Sequence, residues 1–335
     1  RMGHRVRPGL YALGSPTRSS PVLVTANYSL SFDALRSAFE RVLDSGWYIL
    51  GEEVRHFEEE YAAYCGAREC VGVANGLDAL VLALRALDIG PGDEVIVPDY
   101  TYPATADVVA IVGATIVIVD VSPRTMLIDY DAIESAITEK TKVVIPVSLF
   151  GNPLNWDRLH DIKAKHGLFM IEDAACSLGA EYKGIKVGNL ADISVFSHHP
   201  RKFITTGEGG MICVRDPDIA QRITRLRCHG IDRPVWDRYT SNKADWLYDV
   251  TEEGWKTNLP DVLAAIGRVQ LGRAESFFEK RRAIARPLQL VDHEAGARPG
   301  DCAGALADPE QPDGEGEKAG DRECSGHGIS PSCRF

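Results

Sequence analysis

The residues best suited to chemistry lie in Ser197-His198-His199-Pro200-Arg201-Lys202-Phe203-Ile204-Thr205-Thr206-Gly207-Glu208-Gly209-Gly210. Lys202 follows an apolar run (Ile193, Val195, Phe196) and precedes a Gly-rich turn and a second apolar run from Met211 to Val214. A lysine between two buried strands is costly to desolvate unless it has an ionic or covalent purpose. The covalent purpose open to an amine is condensation with a carbonyl to give a Schiff base. The ordinary alternative is a solvated loop lysine. What else the chain places around Lys202 decides between them.

Four further features accompany it. Ala74-Asn75-Gly76-Leu77-Asp78-Ala79 ends a strand pattern and opens a helical one, and exposed amides at such a terminus suit a phosphate. By itself a Gly at this junction is usually only a turn. Pro98-Asp99-Tyr100-Thr101-Tyr102-Pro103 follows the next strand pattern and offers aromatic rings at the sheet edge where α/β proteins bind ligands. Met170-Ile171-Glu172-Asp173-Ala174-Ala175 puts two acids at the end of a core strand, 29 residues before Lys202. An acid there is expensive unless it meets a cation, and a protonated pyridine nitrogen is such a cation. Ser197 supplies a hydroxyl for a phosphate oxygen. Phosphate cradle, stacking ring, pyridine-facing acid and aldehyde-capturing lysine together describe pyridoxal phosphate (PLP).

Such a site needs a rigid frame. Strand patterns at 70–74, 94–97, 115–120, 142–147, 169–172, 193–196 and 211–214 alternate with helical patterns at 77–87, 104–112, 130–137 and 155–166. That alternation implies an α/β fold with a mostly parallel sheet covered on both faces. The apolar strands, with little polar alternation, agree with two-sided burial. A single long helix is expected from about Pro260 towards Arg282.

The chain has 335 residues, 44% hydrophobic and 25% charged, and can bury a large core. Its formal charge of −11 argues against a nucleic-acid surface, and no apolar run or leader pattern suggests a membrane. Eight scattered cysteines, several in apolar segments, read as reduced thiols in a cytoplasmic protein. No Cys/His group has zinc spacing, so no metal is expected.

Gly46-Trp47-Tyr48-Ile49-Leu50-Gly51, Asn75-Gly76-Leu77-Asp78-Ala79, Glu172-Asp173-Ala174-Ala175 and Arg201 to Gly210 resemble the DegT/StrS-type nucleotide-sugar aminotransferases, over roughly residues 36–285. The resemblance implies a type I, aspartate-aminotransferase-like large domain with a seven-stranded sheet, working as a homodimer with sites at the subunit interface. It implies Lys202 as Schiff-base residue and proton shuttle, Asp173 as partner of the pyridine nitrogen, and Tyr102 stacked on the ring. Ser197 and the Gly76 and Leu77 amides would hold the phosphate. Trp255-Lys256-Thr257-Asn258 matches a segment that reaches the neighbouring subunit's phosphate, through Lys256 or Asn258.

Three departures stand out. Cys176 takes the place of a usual Gln near the cofactor's phenolic oxygen and is a poorer hydrogen-bond partner. Leu77 replaces a small hydroxyl residue, and Ser148 a frequent histidine. A related dehydratase branch has histidine at the lysine position; aligning on Thr205-Thr206-Gly207-Glu208-Gly209 puts Lys202 there, not His198 or His199, which favours transamination.

The expected organisation is an atypical segment 1–38, a PLP-binding domain 39–255, a helix 256–285 leading to a small domain, and a tail 286–335. The tail's composition predicts disorder, or a shifted frame or fusion, with the small domain truncated or replaced. Residues 5–38 resemble the start of a corrinoid-binding domain of mercury-methylating type, without the cap helix that domain needs. The expected activity is transfer of an amino group, from glutamate, to a keto-sugar nucleotide. The alternative is a protein of the same fold that binds cofactor or a partner without turnover.

Overall fold

The seven expected strands form one sheet because each is apolar on both sides and therefore needs cover on both. A computed structural model describes residues 32–232 and 248–294 of the chain. The strands are β1 (Glu69–Val73), β2 (Glu94–Pro98), β3 (Thr115–Val119), β4 (Thr141–Val144), β5 (Phe169–Asp173), β8 (Ile193–Ser197) and β9 (Gly210–Val214), in the order β1-β9-β8-β5-β4-β2-β3. Only β9 runs against its neighbours, paired antiparallel to β1 and β8. A small hairpin of β6 (Glu181–Tyr182) and β7 (Ile185–Lys186) stands apart from the sheet.

One face is covered by α3 (Gly76–Ala86), α4 (Ala104–Ile111) and α7 (Pro217–Leu226), which pack Leu80, Leu84, Val108 and Ile223 on Val73, Val97, Ile171, Val195 and Ile212. The opposite face holds α5 (Tyr130–Ala136) and α6 (Trp156–His166) over β4 and β5, with Ile133, Leu159 and Ile162 against Val144 and Met170. On the same side, α2 (Glu52–Cys65), α8 (Asp261–Leu271) and α9 (Ala274–Glu294) place Phe57, Tyr61, Leu271 and Phe277 against Phe196 and Met211. Alternate residues of each strand thus feed two cores.

The helix expected as one unit from 260 to 282 is two. It stops at Leu271, with Gly272 as cap donating its N–H to Arg268 O at 3.0 Å, and restarts at Ala274. Helix α1 (Phe32–Ser45) runs through residue 38, and its Ala38 and Val42 pack against Ala265 of α8. The family-like pattern therefore sits on a helix that crosses that position. Of the corrinoid-like segment 5–38, residues 5–31 lie outside the described residues, as do 295–335 of the expected tail 286–335; residues 286–294, expected as part of that tail, instead continue helix α9. Among the described residues no helix is long and apolar enough to cross a membrane.

One long-range contact fixes the approach of α2. Buried Asp261 accepts the Gly51 N–H at 2.9 Å through Oδ2, and the Glu53 and Val54 N–H groups at 3.2 and 3.4 Å through Oδ1. A carboxylate supplied from 210 residues away does the work of an N-cap. Asp261→Ala is expected to lower stability by about 0.5–2 kcal/mol, the range for a lost cap. Urea unfolding with an unchanged slope checks this.

Candidate active site

The chemistry-bearing residues come together because parallel strands deliver their carboxyl ends to one edge. Asp173 is the last residue of β5 and Ser197 the last of β8. Asn75 leaves β1 and caps α3, and Thr101 and Tyr102 link β2 to α4. Lys202 lies on the loop joining β8 to β9. That loop is pinned at its base, where His198 N–H donates to Gly209 O at 2.8 Å and Thr206 N–H to His198 O at 3.1 Å. Lys202 N–H closes a tight turn on His199 O at 2.8 Å.

Asp173 is buried, yet its carboxylate is partly satisfied. The Thr105 hydroxyl donates to Oδ2 at 2.8 Å and the Ala175 N–H to Oδ1 at 3.2 Å. Burial raises its pKa above the usual carboxylate range; the two hydrogen bonds and the positive charge of Lys202 pull the other way. That Lys202 acts on Asp173 places amine and acid in one site. The Lys202 ammonium itself donates to Cys176 Sγ at 3.3 Å, and Cys176 is exposed. A thiol is a weak acceptor, so Lys202 is tethered loosely.

The anion cradle is made by α3 and Ser197. Asn75 Oδ1 accepts the Asp78 N–H at 2.8 Å, which leaves the Gly76 and Leu77 amides as unsatisfied first-turn donors. Only glycine fits at 76, since an added Cβ would lie 2.9 Å from Ser197 Cβ. Gly210 is equally confined: its Cβ would fall 2.6 Å from Asn75 O. Leu77 sends its side chain into the core under α3, so it offers the site its amide alone.

Tyr102 is 70% exposed and Tyr100 50%. Thr105 N–H donates to Tyr102 O at 3.1 Å, which sets Tyr102 one turn from the threonine that touches Asp173. Lys256 and Asn258 are brought to each other, Nζ donating to Oδ1, and the structure shows no contact from either to Gly76 or Ser197. Their backbone nevertheless borders the cradle's strand: Ala74 N–H donates to Thr257 O at 2.7 Å, and Val73 bridges to Asn258.

His198 is enclosed by Phe57 and Tyr61, and burial drives its pKa down to about 3. It is a neutral core residue. Two site features carried no sequence signal: Thr105, whose hydroxyl also meets Thr101 at 3.0 Å, and Ser194 on buried Glu172; Ser148, noted in the sequence only for standing where a histidine is frequent, is the second hydroxyl on that acid. For Glu172 the acid pair itself was the cue; its partners stand 24 and 22 residues away.

An amine able to condense with an aldehyde, a buried acid able to face a cationic ring nitrogen, and a phosphate-sized anion cradle share this edge. The DegT/DnrJ/EryC1/StrS aminotransferase family model matches residues 33–293. Spore coat polysaccharide biosynthesis protein SpsC of Bacillus subtilis is 40% identical over 249 residues, 74% of this chain and 64% of that protein. The dTDP-3-amino-3,4,6-trideoxy-alpha-D-glucose transaminase of Streptomyces venezuelae is 37% identical over 276 residues, 81% of this chain and 69% of that one. Among solved structures, the PMP-form of Spr1654 from Streptococcus pneumoniae is 34% identical with a TM-score of 0.72, covering 76% of this chain and 68% of that one. The chain thus spans about two thirds of the length of the relatives it matches. With the match reaching from α1 to the end of α9 and including every strand of the sheet, the chain belongs to the DegT/DnrJ/EryC1/StrS aminotransferase family.

Proposed function

We propose that the protein is a PLP-dependent aminotransferase that moves an amino group, with glutamate as donor, onto a keto-sugar nucleotide. The observation that carries this reading is the convergence of Lys202 and Asp173 at one sheet edge, beside a cradle only glycine can line. Spr1654, of the same family, was solved in PLP- and PMP-forms, and the Streptomyces relative is a transaminase named for an amino sugar nucleotide.

The residues fit the cofactor. The Gly76 and Leu77 amides and the Ser197 hydroxyl would hold the phosphate, and Tyr102 would offer its exposed ring for stacking. Asp173 would face the pyridine nitrogen and favour its protonation. Cys176 lies beside Lys202, where it gives the phenolic oxygen only a weak partner. PLP, when bound, supplies the electron sink that stabilises a carbanion at the amino-bearing carbon. Lys202 would be the residue that holds the cofactor's aldehyde, and its free amine would move the proton at the substrate carbon. In a homodimer Lys256 or Asn258 would serve the phosphate of the second copy. The protein works in the cytoplasm, where nucleotide sugars and glutamate are at hand.

The test is a single-turnover half-reaction. Purified protein loaded with PLP and mixed with glutamate is expected to yield stoichiometric 2-oxoglutarate and the amine form of the cofactor. Cofactor that binds but never exchanges with glutamate would instead establish a binding protein without turnover.

A further inference from the structure

Glu172 is fully buried one residue before Asp173, and among the described residues no cation meets its carboxyl. Ser148 Oγ lies 2.5 Å from Oε1 and Ser194 Oγ 3.0 Å from Oε2. Ser194 is the register partner of Glu172 on β8, and Ser148 follows β4. One carboxyl therefore ties together the three central strands. Successive strand residues face opposite sides, so Asp173 emerges toward α4 and Glu172 toward the other core.

The clamp leads to the site through bonded neighbours. The Ser148 N–H donates to Asp173 O at 3.1 Å, and the Asp173 N–H to Pro146 O at 3.0 Å. Ser148 also opens the turn in which Phe150 is held at φ +58°, a left-handed conformation that a bulky side chain keeps only when its surroundings enforce it. Gly151 closes that turn against the backbone of Cys176, the residue that receives the Lys202 ammonium. An apolar residue of similar size would fill the place of Glu172 at lower cost. What the carboxyl adds is direction.

We propose that Glu172 is a positioning residue of the site, its carboxyl holding Ser148 and Ser194 so that Asp173 and the 148–151 turn keep their places. This rests on the reading of the site given above. Burial pushes Glu172 up to about 7, against the two serine hydrogen bonds, and Asp173 is the charged group that adds to the rise. Near neutrality a proton taken up by Glu172 removes the negative charge next to Asp173.

The test compares Glu172→Gln, Glu172→Leu, Ser148→Ala and Ser194→Ala in the full chain. It reads amide hydrogen exchange of the cofactor-free protein and the Kd for PLP on either side of pH 7. Glu172→Leu is expected to speed exchange at residues 148–151 and 173 by about tenfold and to weaken PLP by a similar factor, the scale of leaving hydrogen-bonding partners unmet. Glu172→Gln, which keeps both contacts without a titrating proton, is expected to match the parent below pH 7 and to remove its pH dependence above. Parent-like exchange in Glu172→Leu overturns the proposal. Should that variant not fold, parent-like exchange in both serine variants overturns it instead. Failure of the parent itself to bind PLP would sink the functional reading, while the exchange measurements still decide the role of Glu172.

Discussion

Lys202→Ala is expected to leave the protein folded and to abolish its chemistry. Lys202 is half-buried, and among the described residues its side chain bonds to exposed Cys176. Losing such a contact costs no more than about 0.5 kcal/mol, the range for surface substitutions. The chemical loss is of another order. Positioned proton transfer alone contributes about 10²–10⁴-fold, and covalent attachment of the cofactor disappears with the amine. The half-reaction with glutamate is expected to fall by roughly 10⁴-fold or more. Borohydride reduction followed by peptide mass analysis gives a second readout. In the parent, the peptide containing Lys202 should carry the cofactor; in the alanine variant no peptide should. Cofactor trapped on another lysine of the parent would remove Lys202 from the role given to it.

Lys202 could be singled out from the sequence because parallel strands in an α/β sheet bring their carboxyl ends to one edge, whatever their order across it. Asp173 and Ser197 end apolar strands, and each strand end had to reach the same edge. All seven strands were legible for the same reason: runs such as Ile193 to Phe196 are buried on both faces and carry no other pattern. The break after Leu271 was not, since Gly272 follows an unbroken apolar period and a glycine there is compatible with either outcome. Helix α2 repeats Val54, Phe57, Tyr61 and Cys65 at a helical period, but its intervening glutamates and arginine dilute the signal.

What stayed hidden were roles created by contact. Thr105 is one threonine among many until Asp173 is beside it. Asp261 sits in the first turn of its own helix, and its carboxylate caps another. Neither relation has a local spacing, because the partners are far apart in sequence. Leu77 shows the reverse case. Its side chain was unsuited to a phosphate, and the structure turns it into the core while leaving its amide at the cradle.

Asp173→Asn should separate stability from function. The folded protein raises the Asp173 pKa because burial outweighs its two hydrogen bonds and the Lys202 charge. A carboxyl raised in this way contributes stability fully below its unfolded pKa, about 3.9, and loses it as pH rises through the folded value. At neutral pH, above the unfolded pKa, the buried, cofactor-free Asp173 is therefore a burden that asparagine escapes. Cofactor-free Asp173→Asn is expected to melt higher than the parent at pH 7, with the gap closing below about pH 4. Function moves in the opposite direction. An adjacent carboxylate raises the basicity of a facing nitrogen by about 1–3 pKa units, and each unit is about 1.4 kcal/mol. Asparagine keeps the shape and the Thr105 contact but withdraws that charge. The half-reaction is expected to slow by roughly 10–10³-fold, with PLP bound more weakly. An Asp173→Asn protein with parental half-reaction rate and PLP affinity would show that this carboxylate faces no cationic nitrogen, and that its burial serves the sheet alone.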